Sequence, residues 1–161
     1  MSAPVDYIAR TGEQYAALGY PPYRWVRNLD EPPFTPLRKP LDQCRVALLA
    51  SGGVYQRGQV AFHFRDDTSY REIPRDVDYR DLRVTHFAYD LTDARADPNV
   101  VFPLETLLDL TRNGRIGEVA PSAYTFMGGI YSSRRVRDEL APALADRLQH
   151  DQVDVAILVP V

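Results

Sequence analysis

Cysteine occurs once, at Cys44, which excludes an internal disulfide framework and any cysteine-rich zinc site. Three histidines are scattered through the chain. With one cysteine they form no metal-ligand spacing, so no bound metal is expected. No stretch approaches the roughly 20 apolar residues of a membrane span, so no membrane partner is expected. Met1-Ser2-Ala3-Pro4-Val5-Asp6 has neither a basic start nor an apolar run, so no signal peptide is read there and a soluble cytoplasmic protein is the expectation. Basic excess is also missing. Nineteen basic and 22 acidic residues leave a net charge of -3, which argues against a nucleic-acid partner. Lysine is nearly absent, Lys39 standing alone among arginines, a trace of genome composition rather than of function.

What is present divides unevenly. Residues 1–43 form a Pro/aromatic-rich N-terminal arm, with Pro4, Pro21, Pro22, Pro32, Pro33, Pro36 and Pro40 among Tyr7, Tyr15, Tyr20, Tyr23, Trp25 and Phe34. A short helix is expected near 11–18, and extended chain elsewhere, because each proline fixes φ and restricts its predecessor. Disordered segments are poor in aromatics, so these rings are expected to pack on the domain or on a partner subunit.

Residues 44–161 read as a single three-layer α/β domain with a mainly parallel sheet, since strand-like and helix-like segments alternate. The run at 46–50 reads as a fully buried strand. Weaker strands are expected at 59–64 and 69–73. Residues 83–89, rich in β-branched and aromatic types, read as another buried strand. Asp97-Pro98-Asn99 is a turn signal, and 102–112 a helix stopped by Asn113-Gly114. Residues 122–130 read as strand and loop ending in Met127-Gly128-Gly129. Residues 133–150 read as a helix with a kink or late start at Pro142, and 153–159 as a buried closing strand of the same sheet as 46–50 and 84–88.

Ligands in open α/β sheets bind at the carboxyl ends of the strands, and the chemistry-bearing residues fall where such ends are expected. Ser51-Gly52-Gly53 follows a buried strand. Its glycines let the backbone approach a ligand, and its amides could hold a carboxylate or phosphate. It fits neither the dinucleotide fingerprint nor the P-loop, and an ordinary turn is the alternative. In Thr85-His86-Phe87-Ala88-Tyr89-Asp90, His86 and Asp90 would share one side of a regular strand and Tyr89 the other. A carboxylate orienting a histidine is a recurrent catalytic arrangement; a core histidine bonded to the backbone is the alternative. Arg134, Arg135 and Arg137 oppose the dipole at the start of the last helix, either for an acidic partner or as a solvated face.

These segments together resemble one family. They are 46–54 with its Ser-Gly-Gly, Asp67-Thr68-Ser69-Tyr70-Arg71-Glu72-Ile73-Pro74, Thr85-His86-Phe87-Ala88-Tyr89-Asp90, 97–104, Gly114-Arg115-Ile116-Gly117 and 153–160. Over about residues 44–161 the chain resembles the B component of glycine/sarcosine/betaine reductase and the similar subunit of D-proline reductase. The resemblance implies reductive cleavage of a carbon–heteroatom bond in a small amine or amino-acid derivative. It implies a catalytic selenocysteine or cysteine just after a strand like 153–159, with a thiol reductant or partner protein and a homo-oligomer as candidate partners.

Candidate catalytic residues are His86 and Asp90; candidate substrate-binding residues are Ser51, Gly52, Gly53, Tyr89, Asp97 and Asn99. Cys44, at the start of a strand and the opposite edge, is a poor substitute nucleophile. The expectation is an open reading frame cut at an in-frame UGA. It would be inactive as given, with no cofactor of its own, and selenocysteine would follow immediately after Val161 if the codon is read through. A short non-enzymatic binding or subunit protein with the same fold is the rival.

Overall fold

The computed structural model describes residues 4–22 and 26–161, and the chain divides into two compact units, 1–34 and 35–161. In the first, α1 (Tyr7–Ala17) starts where the Asp6 carboxylate accepts the Ala9 amide at 3.0 Å, a side-chain N-cap. It ends before Gly19, whose φ of +78° stops a helix at low cost. The helix buries no side chain. Tyr15 and Tyr20 pack on each other at 5.7 Å, but Tyr7, Tyr15, Tyr20 and Phe34 are all exposed. Tyr23 and Trp25 lie outside the described residues.

The second unit is mixed α/β. Its elements are β1 (Arg45–Ala50), β2 (Val54–Gln56), β3 (Tyr70–Pro74), β4 (Leu82–Val84), α2 (Thr92–Ala96), α3 (Leu104–Arg112), β5 (Glu118–Val119), β6 (Ser122–Phe126), α4 (Ser133–Arg135), α5 (Ala141–His150) and β7 (Val155–Val159). The central strand β1 is flanked on one side by β5 and then β6, both parallel to it, and on the other by parallel β7, while β3 runs antiparallel outside β6. Alternation along β1 feeds two cores. Val46, Leu48 and Ala50 join Phe102, Leu104 and Leu107, whereas Ala47 and Leu49 join Tyr124, Leu140 and Leu144. Both faces are thus covered, which is why 46–50 reads as an unbroken apolar run.

Three sequence expectations change. Residues 83–89 do not enter the main sheet. Only 82–84 are extended, and they pair antiparallel with β2 in a separate two-stranded sheet. The cause is Gly53, which turns the chain out of the main sheet at φ +68°. Its carbonyl accepts the Thr85 amide at 3.0 Å, so the two segments pair with each other. Residues 59–64 form no strand, because a turn at Gly58 (φ +93°) ends β2. Phe62 is then buried beneath the Arg71 guanidinium, 4.4 Å from its ring centroid. Finally, β7 is a strand of the main sheet but not a buried one. It has one neighbour, β1, and Ala156, Ile157 and Leu158 are exposed.

The last helix follows its pattern with a twist. Between α4 and α5 the turn Val136–Leu140 is π-helical. It ends one residue before Ala141-Pro142, and the widened turn leaves room for a proline that offers no amide to the ladder.

Candidate functional site

Three parallel strands end together. In register, Ala50 stands beside Thr125 of β6 and Val159 of β7, so the segments that follow them meet at one edge. Ser51 is the hub. Its amide donates to the Val159 carbonyl at 3.0 Å, its carbonyl accepts the Gly128 amide at 2.9 Å, and its hydroxyl accepts the Val161 amide at 2.9 Å. Gly53 donates to the Phe126 carbonyl at 3.1 Å.

The glycines here are needed for closeness. A Cβ on Gly53 would sit 1.9 Å from the Thr85 oxygen, and one on Gly129 would sit 2.1 Å from Cζ of Phe87. On Gly128 it would meet the Ser51 and Val161 carbonyl oxygens at 3.1 Å. Beside this knot lies an open groove of about 360 Å³ lined by Leu49, Ser51, Phe126, Gly128, Leu158 and 159–161.

His86 and Tyr89 reach this edge from the loop after β4. The Tyr89 hydroxyl donates to the Gly52 carbonyl at 2.8 Å, and its ring lies 4.8 Å from the His86 imidazole. Burial pushes the tyrosine pKa up, the nearby Arg95 charge opposing the shift. His86 is buried, its Nδ1 accepting the Ala88 amide at 3.0 Å. Desolvation holds its pKa below the ordinary value.

Asp90 does not orient this histidine. Its carboxylate accepts the Thr92 hydroxyl and amide at 2.7 and 2.9 Å, which lowers its pKa. The expected His86–Asp90 pair therefore gives way to a turn and a helix start, because neither residue lies in a strand. Asp97 and Asn99 likewise serve local structure. Asp97 accepts the Asn99 amide and side-chain amide at 2.9 and 3.0 Å, and Asn99 also donates to Glu105 at 2.7 Å.

The sequence reading missed Phe87, Gly128 and Gly129 as site residues. A second glycine pair directly after a strand, matching Ser51-Gly52-Gly53, was the signal that could have found the last two. Cys44 is fully buried at the opposite end of β1, its thiol directed to the Lys39 and Pro40 carbonyls. That end is closed by ion pairs of Arg45 with Glu118 and of Lys39 with Asp154, both at 2.7 Å.

Arg135 is engaged with Glu139, Thr68 and the Asp66 carbonyl, and Arg137 with Asp138. Among the described residues no group of three or more His, Cys, Asp or Glu stands close enough to hold a metal, and no helix is long and apolar enough to cross a membrane.

Residues 24–161 match the family described as glycine/sarcosine/betaine reductase selenoprotein B. The chain belongs to this family. Its selenoprotein B relatives include the D-proline reductase subunit gamma of Acetoanaerobium sticklandii, 34% identical over 127 residues, covering 79% of this chain and 52% of the relative. The glycine reductase complex component B subunit gamma of Symbiobacterium thermophilum is 29% identical over 153 residues, covering 91% of this chain and 34% of that one. The sarcosine reductase complex component B subunit beta of Peptoclostridium acidaminophilum is 30% identical over 100 residues, covering 56% of this chain and 22% of the relative. The chain thus spans about half of the first relative and less of the others. No solved structure matches it.

Proposed function

We propose that this selenoprotein B family chain is a subunit of a reductase complex that reductively cleaves a carbon–heteroatom bond in a small amine or amino-acid derivative. The observation that carries the reading is the junction of the β1, β6 and β7 ends, where Ser51 hydrogen-bonds Gly128 and Val161. In this reading that junction is where a selenocysteine or cysteine acts, as the family resemblance implies. A selenolate or thiolate is the nucleophile that positioning groups alone cannot replace. The cleavage consumes two electrons and two protons: the carbon–heteroatom bond becomes C–H and N–H, and a dithiol reductant becomes a disulfide. The relatives are named as subunits, two of them of reductase complexes, and protein partners are proposed here on that ground.

The test expresses a form ending at Val161 and a form continued through the next codon as selenocysteine. Both are assayed with a dithiol against D-proline, glycine, sarcosine and betaine. The continued form is expected to turn over one of these and the short form none. Equal dithiol-dependent turnover by the short form, or none by the selenocysteine form, would overturn the reading. In the rival reading the fold serves as a non-enzymatic subunit. The unpaired, exposed edge of β7 favours an interface there, and an inactive continued form would leave that rival standing.

A further inference from the structure

Among the described residues two buried side-chain polar atoms lack a partner, His86 Nε2 and Asn99 Oδ1. The first lies at the strand-end site. His86 is 5% exposed, and its Nδ1 is occupied as the acceptor of the Ala88 amide. A neutral imidazole has one donor nitrogen and one acceptor, so Nε2 carries the hydrogen. Burial keeps the ring neutral, its pKa being held down. Buried polar groups are nearly always hydrogen-bonded, and an unpaired donor is costly. Such an atom beside a glycine turn points to an acceptor that arrives from outside.

The surroundings show how it would arrive. The imidazole lies between Tyr89, pinned to the Gly52 carbonyl, and Phe87, stacked at 5.5 Å with 12° between the planes. Tyr89 is held by a hydrogen bond, whereas Phe87 meets its neighbours through its ring. The Phe87 ring is 42% exposed, sits on a loop without helix or strand, and rests over Gly129, where any side chain would collide with it. Phe64 meets it edge-on at 6.3 Å. Phe87 is thus a partly exposed aromatic ring stacked over a buried donor.

We propose that His86 Nε2–H binds the carboxylate of a small amino-acid ligand, with Phe87 swinging aside to admit it and closing over it. This rests on the reading of the chain as a reductase subunit acting on amines and amino acids. The choice of group follows from the donor. An amino acid's ammonium only donates, so its acceptors are the carboxylate oxygens, and an N–H with no lone pair to offer can serve only those. The charged acceptor shortens and strengthens the bond, and the flanking rings keep water from competing.

The test uses the full chain with ¹⁵N-labelled histidine and long-range ¹H–¹⁵N correlation spectra. The His86 signals among the three histidines are assigned by their loss in His86→Gln. The free protein is expected to show the Nε2–H tautomer at neutral pH. Acetate, glycine, sarcosine and D-proline should each shift Nε2 and its hydrogen saturably, whereas methylamine and pyrrolidine should not. His86→Phe should weaken acetate binding about 10- to 100-fold, and His86→Gln, whose side-chain amide still donates, should lose less. Phe87→Ala should speed exchange of the Nε2 hydrogen with solvent.

An Nδ1–H tautomer, no acetate-dependent shift, or equal shifts with methylamine would overturn the proposal. Melting curves report whether each variant folds, and the wild-type titration decides the matter if His86→Phe does not. Turnover by the selenocysteine form without a carboxylate-dependent shift would sink this site and leave the reductase reading intact. A shift without turnover would do the reverse.

Discussion

At the residue scale, closeness of backbones matters more than side-chain chemistry. Gly53 combines a left-handed φ of +68° with a Thr85 carbonyl 1.9 Å from any Cβ. Gly53→Ala is expected to cost about 2–3 kcal/mol, read by denaturant unfolding. At Gly58 φ is +93° but nothing lies within 4 Å, so its alanine variant should cost about 1 kcal/mol. His86 gives a second prediction. Its folded pKa lies below the ordinary 6.5 because burial disfavours the charged ring, so the unfolded chain binds the extra proton first. Stability is then unaffected above about pH 6.5 and falls as pH drops from there toward the lowered folded value.

The groups facing this ring are Tyr89, which stays protonated over that range, and Phe87. Asp67 and Asp154, whose pKa values are lowered, act only below the ordinary 3.8. Melting temperatures taken between pH 7.5 and 5 should therefore decline, and the decline should flatten in His86→Gln; identical slopes would contradict it. Ser51, Gly52, Gly53, His86 and Tyr89 were legible as a group because a strand end and glycines announce a site in open sheets. The Asp90 partnership was not legible. It assumed strand alternation across residues whose geometry is set by an imidazole–amide bond two residues long.

At the element scale, α3 anchors one core through Leu104, fully buried, and Leu107, nearly so. Leu104→Ala should cost about 2–5 kcal/mol, the transfer term plus the cavity left behind. Leu108 is only partly buried, and its alanine variant should cost less in the same unfolding series. The parallel core around β1 was readable from 46–50, because a strand covered on both faces has no polar alternation to disguise it. The final helix was readable from its apolar stripe, and Pro142 marked the place of its irregularity, although no pattern distinguishes a π turn from a kink. The run at 155–159 misled because hydrophobicity reports what a strand is suited to be covered by, not what covers it. Residues 83–89 misled for another reason: strand propensity is a fit to a pleated surface, and the partner that Gly53 sets for the segment is three residues long.

At the scale of the whole molecule, β7 is an exposed edge of the main sheet among the described residues. It is apolar, carries no lysine and no internal proline, and leaves Leu158 68% and Ile157 36% exposed. Natural edge strands are usually blunted by charge, bulges or cover. Sedimentation velocity is therefore expected to show self-association that grows with concentration, and Leu158→Lys should suppress it while leaving the melting temperature nearly unchanged. A monomer at all concentrations would refute the expectation. The same edge makes copy number a physical variable. Any protein that binds only the folded, edge-bearing chain stabilises it by mass action. Chains made in excess of that binder are left to proteases and aggregation, to which marginal species are continuously lost. The cellular level of this polypeptide would then track the rate at which its binder is synthesised rather than its own.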